Sequence, residues 1–415
     1  MNIQTIFYWG IGVVVVLAIA GGAWVFMTSP TPTNVPLSAQ NSGFGAGDSR
    51  TVVVTQGGEN VSATVPLTTT SSQKIFKIID GPVTTATLVQ TPHPTTTLAR
   101  YVLQENGHVL DIVLDNAGTV AKAVSNTTIP GTARGLWTEK GGGVLLQYLE
   151  DSITKSVYIG FPLAAPTAGS GQATTSTKQQ PSRIQFLPNN ITDLGISPDG
   201  KQVAYLLKTA VGSDGYTAKI DGSASKKLFS TPLAELLVSW PAPQTLLLQT
   251  KSAAGVSGAA FSVNAASGAV VPLVYASGLT AIADSTFARI VYQKITSEAA
   301  SFVHDVKTNK DRPLSFNPIP EKCILSKVQA SVMYCAAPLS YVAPDYLDQW
   351  HQGIASAPDA IFSFDLNTGR SSILAAPGGG DGGVSSDIAE FAVSPDDRYL
   401  VFIKKGDRSL WGVRL

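Results

Sequence analysis

The stretches ISPDGKQVAYLL at 196–207 and VSPDDRYLVFIK at 393–404 are two copies of one hairpin, nearly half the chain apart. In the first copy Pro198 fixes φ where a turn wants it, and Ser197 can hydrogen-bond forward across the bend. Asp199 and Gly200 tolerate the left-handed backbone that reverses the chain. Val203, Tyr205 and Leu207 then alternate with Gln202, Ala204 and Leu206, the period of two that marks a strand. In the second copy Asp397 stands where Gly200 stands. Tyr399, Val401 and Ile403 share one face of its strand and Leu400 and Phe402 the other, so this strand is expected between two neighbouring sheets. Two unrelated hairpins could share a turn, but here the flanking pattern matches too.

Between and around these copies, related markers recur at Ser239 (SWPAPQ), Ser285 (DSTFAR) and Ser326 (SKVQAS). The gaps from Ser197 are 42, 46 and 41 residues, and a last gap of 68 to Ser394 holds an insertion rich in aromatics. Each unit closes with a strand, a polar turn and a strand, as in YTAKIDGSASKKLF and IFSFDLNTGRSSIL. Four short strands repeated about every 40–45 residues are the signature of a β-propeller. The expected fold is therefore all-β, a single propeller of about seven blades starting near 95, 133, 191, 233, 280, 321 and 388, with six or eight compatible with the weak marking of the first two units. The last unit supplies only three strands before Leu415. A ring left open exposes a sheet edge, so a segment within 73–89 is expected to add the missing outer strand.

The turn Ser-Pro-Asp-Gly before an apolar strand, followed by a strand ending Asp-x-x-x-Gly, resembles the WD-like repeats of TolB-type propellers. The match is strong at 196–229 and 391–415 and faint between them. The resemblance implies a fold in which the motif joins the first two strands of each blade; it implies no activity. The chain is also similar in general character to membrane-anchored propellers of bacterial cell envelopes.

Residues 6–27, IFYWGIGVVVVLAIAGGAWVFM, run 22 residues without a charge or proline, enough to cross a hydrocarbon core of ~30 Å as a helix. Tyr8, Trp9 and Trp24 sit near its ends, where amphipathic rings favour the interface. A cleaved signal peptide is the rival reading, through Ala18-Ile19-Ala20. Against it, the apolar run continues through Phe26 and no Lys or Arg precedes it. No cysteine follows the run, which argues against a lipid anchor. The expected organisation is a short cytoplasmic tail at 1–5, a transmembrane anchor at 6–27, a Pro/Thr/Ser-rich linker at 28–72 and the propeller at 73–415. The propeller is expected on the extracytoplasmic side. The linker is expected to stay extended, with TVVVT at 51–55 able to form a short strand.

Formal charge is zero, with 29 basic and 29 acidic residues, so nothing favours a nucleic-acid partner, which usually needs a basic face. Cys323 and Cys335 lie symmetrically about Gln329, in a turn, so a hairpin would oppose them closely enough for a disulfide. Two free buried thiols, or a metal site without a nearby His, are the other readings. The four histidines, His93, His108, His304 and His351, are scattered, with no metal-ligand spacing. His304, in FVHDV, reads as a structural residue. No Gly-x-Ser-x-Gly occurs, and GGGDGG at 378–383 lacks both the helix of a phosphate loop and the carboxylates of a calcium loop. It reads as a loop joining two blades, and 165–182 as a disordered surface loop. No cofactor is expected.

The insertion APLSYVAPDYLDQWHQGIASAP, 337–358, should leave one face of the ring. Pro344 can open a short helix and Gly353 can cap it. On that helix Tyr346 and Trp350 are four apart, with Leu347 and Ile354 beside them, forming a candidate partner-binding group. The alternative is that these side chains fold back over the blade. Two functions are compatible with the whole. The first is a non-catalytic, membrane-tethered module that binds or scaffolds protein partners of the cell envelope. The second is an envelope hydrolase or lyase acting on saccharide or peptide in the channel, which would require carboxylates or histidines on the channel-lining strands.

Overall fold

The computed structural model describes residues 52–56, 59–63, 74–92, 95–115, 119–161, 183–315, 317–376 and 386–415. The chain divides into two compact units, Met1–Thr68 and Thr69–Leu415. In the first, Val52–Gln56 pairs antiparallel with Glu59–Ala63, one strand more than the sequence suggested there. The anchor at 6–27 lies outside the described residues, as do the loops at 165–182 and 378–383. Among the described residues no helix is long and apolar enough to cross a membrane.

The second unit contains seven four-stranded antiparallel sheets. Blade 1 comprises Val83–Pro92, Thr95–Leu103, Val109–Val113 and Lys122–Ser125. The first strands of blades 2 to 7 are Thr132–Trp137, Ile191–Ile196, Leu236–Ala242, Thr280–Ala283, Cys323–Leu325 and Ile388–Val393. First strands touch between blades 6 and 7, 7 and 1, 1 and 2, 2 and 3, and 3 and 4, which places them innermost around the ring axis. Blade 7 has the order Ile388–Val393, Tyr399–Lys404, Leu410–Arg414, Ile75–Ile79, so its outer strand comes from the N-terminal side of the propeller. The sequence placed one strand within 73–89 and began blade 1 near 95. The segment in fact serves two blades, because Asp80-Gly81-Pro82 turns the chain inward and Val83–Pro92 becomes the first strand of blade 1.

The core lies between blades. Tyr399, Val401 and Ile403 pack with Val83, Ala86 and Tyr101 of blade 1. Leu400 and Phe402, pointing the other way, pack with Tyr334, Ala336 and Ile361 of blade 6. A strand apolar on both faces thus seals two interfaces at once.

The repeated turn works through its serine. Ser197 Oγ donates to Asp199 (2.7 Å) and accepts the Gln202 N–H (2.9 Å), while Gly200 takes φ +70°. In blade 7 Ser394 and Asp396 repeat the bonds and Asp397 takes φ +54°. Blade 5 replaces the serine with Asp284, not Ser285; its carboxylate accepts the Thr286 and Ala288 N–H groups. In blade 4, Ser239 is inside the first strand and the chain reverses after Ala242, so the marker there is displaced.

Candidate functional site

In an up-and-down sheet the first strand begins where the second ends and the third begins. These ends form one face of the ring, called the upper face below. The insertion after Val332–Pro338 is the loop between the second and third strands of blade 6, so it rises from this face.

Helix α1 (Tyr346–His351) is the centre of the insertion. The sequence grouped Tyr346, Leu347, Trp350 and Ile354; the structure separates them. Tyr346, Leu347 and Trp350 are buried together with Ile319 and Ala357. Ile354 is 71% exposed. The helix stops at His351 and Gly353 takes φ +75°, so the apolar stripe ends one turn before Ile354 could join it.

Beneath Trp350 lies a buried charge cluster. The Lys322 ammonium, from the 3-10 turn leading into blade 6, donates to Asp359 Oδ2 (2.9 Å) and Asp387 Oδ1 (2.7 Å). All three side chains are at most 3% exposed. Trp350 Nε1 donates to both Asp387 oxygens at 2.7 and 2.9 Å. Two ammonium groups approach the Trp350 ring, Lys322 at 4.7 Å and Lys405 at 3.9 Å from its centroid. Lys405 also donates to the Trp350 carbonyl. Burial raises the Asp359 carboxyl to about 6 against the pull of Lys322. Its Oδ1 is buried without a hydrogen bond among the described residues.

The insertion reaches beyond its own blade. Asp348 Oδ2 accepts the Ala254 N–H of blade 4 (2.8 Å). His351 Nε2 meets Glu321 Oε2 (2.8 Å), and Thr280 of blade 5 donates to the other Glu321 oxygen (3.1 Å). The Glu321 hydrogen bond raises the His351 pKa. Between α1 and the 251–253 loop of blade 4 lies a cleft of about 480 Å³, with Glu321, Asp348, His351, Lys251 and Leu237 on its walls. A second cleft, of about 270 Å³, separates the first half of the insertion from blade 5 and is bordered by Ile295, Leu339 and Tyr341.

The inner strands carry charge as well. Backbone bulges in blades 7, 1, 2 and 3 place Glu390, Thr85, Arg134 and Asp193 at matching positions. Thr85 donates to Glu390 (2.6 Å), Arg134 pairs with Asp193, and Asp193 Oδ2 accepts the Val238 N–H (2.5 Å). Burial raises Glu390 to about 7. These carboxylates are not evident from the sequence, because each is a lone acid in an apolar run and only the bulge reveals the shared position.

Cys323 and Cys335 stand opposite each other in register and form a disulfide, with Cα atoms 4.1 Å apart. His304 is buried and bonds Asp311 through Nδ1 (2.8 Å). His108 touches Thr128 on the surface (3.2 Å). Among the described residues no group of three or more His, Cys, Asp or Glu side chains is arranged to hold a metal ion.

No family model matches the chain, and no curated protein matches it in sequence. Solved structures do match. Oligogalacturonate lyase from Vibrio parahaemolyticus has a TM-score of 0.53 at 9% identity, over 83% of this chain and 94% of that one. Hydrazine synthase of Kuenenia stuttgartiensis has a TM-score of 0.50 at 12% identity, over 82% and 97%. TolB from Acinetobacter baumannii has a TM-score of 0.42 at 11% identity, over 72% of this chain, and this chain spans 63% of TolB. The likeness is one of fold. Proteins as different as a lyase and a hydrazine synthase share it, so function must be argued from the upper face.

Proposed function

We propose that this chain is a membrane-tethered, extracytoplasmic propeller of the cell envelope that binds a protein partner on its upper face without catalysing a reaction. The observation that carries the reading is the insertion's division of labour. Tyr346, Leu347 and Trp350 are spent on fixing it to the ring. Leu339, Tyr341 and Ile354 are 55%, 77% and 71% exposed on the same segment. Apolar side chains on a segment held this firmly lose little entropy on docking. The surface assigned to the partner is therefore Leu339, Tyr341 and Ile354, with only Ile354 retained from the group read in the sequence. The inner-strand carboxylates support binding over catalysis, since Glu390 and Asp193 are occupied in joining blades. The anchor and linker rest on the sequence of residues 6–72.

A photo-crosslinking residue at Tyr341 or Ile354, with the protein in its own membrane, tests the reading. Both positions should label the same protein, identified by mass spectrometry. Val328, exposed in the first turn of blade 6 on the lower face, should not label it. Equal labelling at Val328, or none at Tyr341 and Ile354, would overturn the reading.

A further inference from the structure

We infer that the cleft between α1 and blade 4 receives a lysine or arginine side chain of the bound partner, with Asp348 and Glu321 as its counter-ions. This rests on the partner-binding reading and adds the chemistry of one contact. The cleft, at about 480 Å³, falls within the usual range for ligand pockets. Leu237 and Ala253 form an apolar wall suited to a methylene stem. With His351 neutral, the walls carry two carboxylates, Glu321 and Asp348, against one ammonium, Lys251. Lys251 is drawn to Glu235 (2.8 Å), a carboxylate it shares with Lys208 (2.9 Å). Among the described residues Asp348 pairs directly with no lysine or arginine. Its Oδ2 accepts only the Ala254 amide, and its Oδ1 accepts no hydrogen bond among the described residues. Among the described residues Glu321 is balanced by His351 alone, and only while that imidazole is protonated.

An entering guanidinium or ammonium would therefore pair with Asp348 and compete with the His351 proton for Glu321. The groups facing His351 are Glu321 from the blade 6 turn, Asp348 on its own helix, Lys405 from blade 7 and Lys251 across the cleft. The acids favour its protonated form, Glu321 most, and Lys405 opposes them. A bound cation would act as Lys405 does. Binding should thus tighten as pH rises and His351 gives up its proton.

The test uses the full chain and two probes of nearly equal shape, N-acetyl-arginine amide and N-acetyl-citrulline amide. Binding is followed by the NMR shift of the His351 ring. The arginine amide is expected to bind more tightly at pH 8.5 than at pH 6 and to lower the His351 pKa. Citrulline amide should bind at least about tenfold more weakly, as should arginine amide to Asp348→Asn, a loss equivalent to one missing charge pair. His351→Gln should bind arginine amide more tightly, because Glu321 is then free. An unchanged melting temperature for Asp348→Asn separates lost recognition from lost folding. Equal binding of the two probes, or no effect of Asp348→Asn, overturns the assignment. Crosslinking at Tyr341 and Ile354 would then still stand or fall alone.

Discussion

A lysine that is 1% exposed persists only where its charge is met. Lys322 is met twice, by Asp359 and Asp387, and two aromatic rings complete its surroundings. Lys322→Met would fill the space but leave two carboxylates in an apolar site. The expected loss is about 3–5 kcal/mol, measured by urea unfolding. Adding Asp359→Asn should recover part of it, because one of the unanswered charges is then gone. An unchanged midpoint for Lys322→Met would mean that the cluster does not hold the upper face together. Nothing in the sequence points to Lys322. Lysine is ordinarily solvated, and its partners are 37 and 65 positions away. The Ser197 and Ser394 turns were legible for the opposite reason. Their bonds span two to five positions, so the motif contains both donor and acceptor.

At the scale of the element, the insertion shows where local reading ends. The helix and its glycine stop could be read from Pro344 and Gly353, and the four-residue spacing gave the shared side of Tyr346 and Trp350. The direction that side faces is set by Asp387 and Lys405 of blade 7 and the Lys322 turn, none of which is adjacent in sequence. Trp350→Ala removes a buried ring and takes the indole donor from Asp387, leaving it to Lys322. Thermal or urea unfolding should register a loss of about 3–5 kcal/mol. Tyr341→Ser and Ile354→Ser, at exposed positions, should stay within about 0.5 kcal/mol of the parent while weakening partner capture. Large destabilisation by these two would place them in the fold rather than at a surface. The blade 6 hairpin was easier to read, since Cys323 and Cys335 are symmetric about its turn. Their bond closes a loop of 12 residues, so reduction should cost about 3 kcal/mol or less. Unfolding with and without reductant, with the gain of two hydrogens confirmed by mass, measures it.

For the whole molecule, the repeat made the architecture legible because every blade solves the same packing problem with the same turn. The seam was harder, because Ile75–Ile79 belongs to a blade whose other strands lie more than 300 residues away. Deleting 74–80 should cost about 3 kcal/mol or more, since Ile75 is buried in the core between blades 6 and 7 and Phe76 packs into the core between blades 7 and 1. Polar bonds across the same seam tie stability to pH. Glu390, which takes the Thr85 hydroxyl proton, is raised from 4.5 to about 7. Asp359 is raised from 3.8 to about 6, and His351 is raised by Glu321. Each of these groups holds its proton more tightly folded than unfolded. The folded state is therefore favoured on the acid side, and that advantage is lost as pH rises through about 6 to 7. Glu235 and Asp396 act in the opposite sense. Lysine hydrogen bonds lower Glu235 to about 2; Arg398 and Ser394 lower Asp396 to about 2 against the effect of burial. Their contribution is complete above the usual carboxylate range and disappears toward pH 2. Together these groups place the stability maximum at pH ~4, where the gain of the second set ends and the loss of the first begins. Melting temperatures across pH 3 to 9 should rise, peak there and fall by pH 8, and Glu390→Gln should flatten the fall between pH 5 and 8. A maximum at pH 8, or a Glu390→Gln profile parallel to the parent, would show that the seam carboxylate is not what couples the ring to pH.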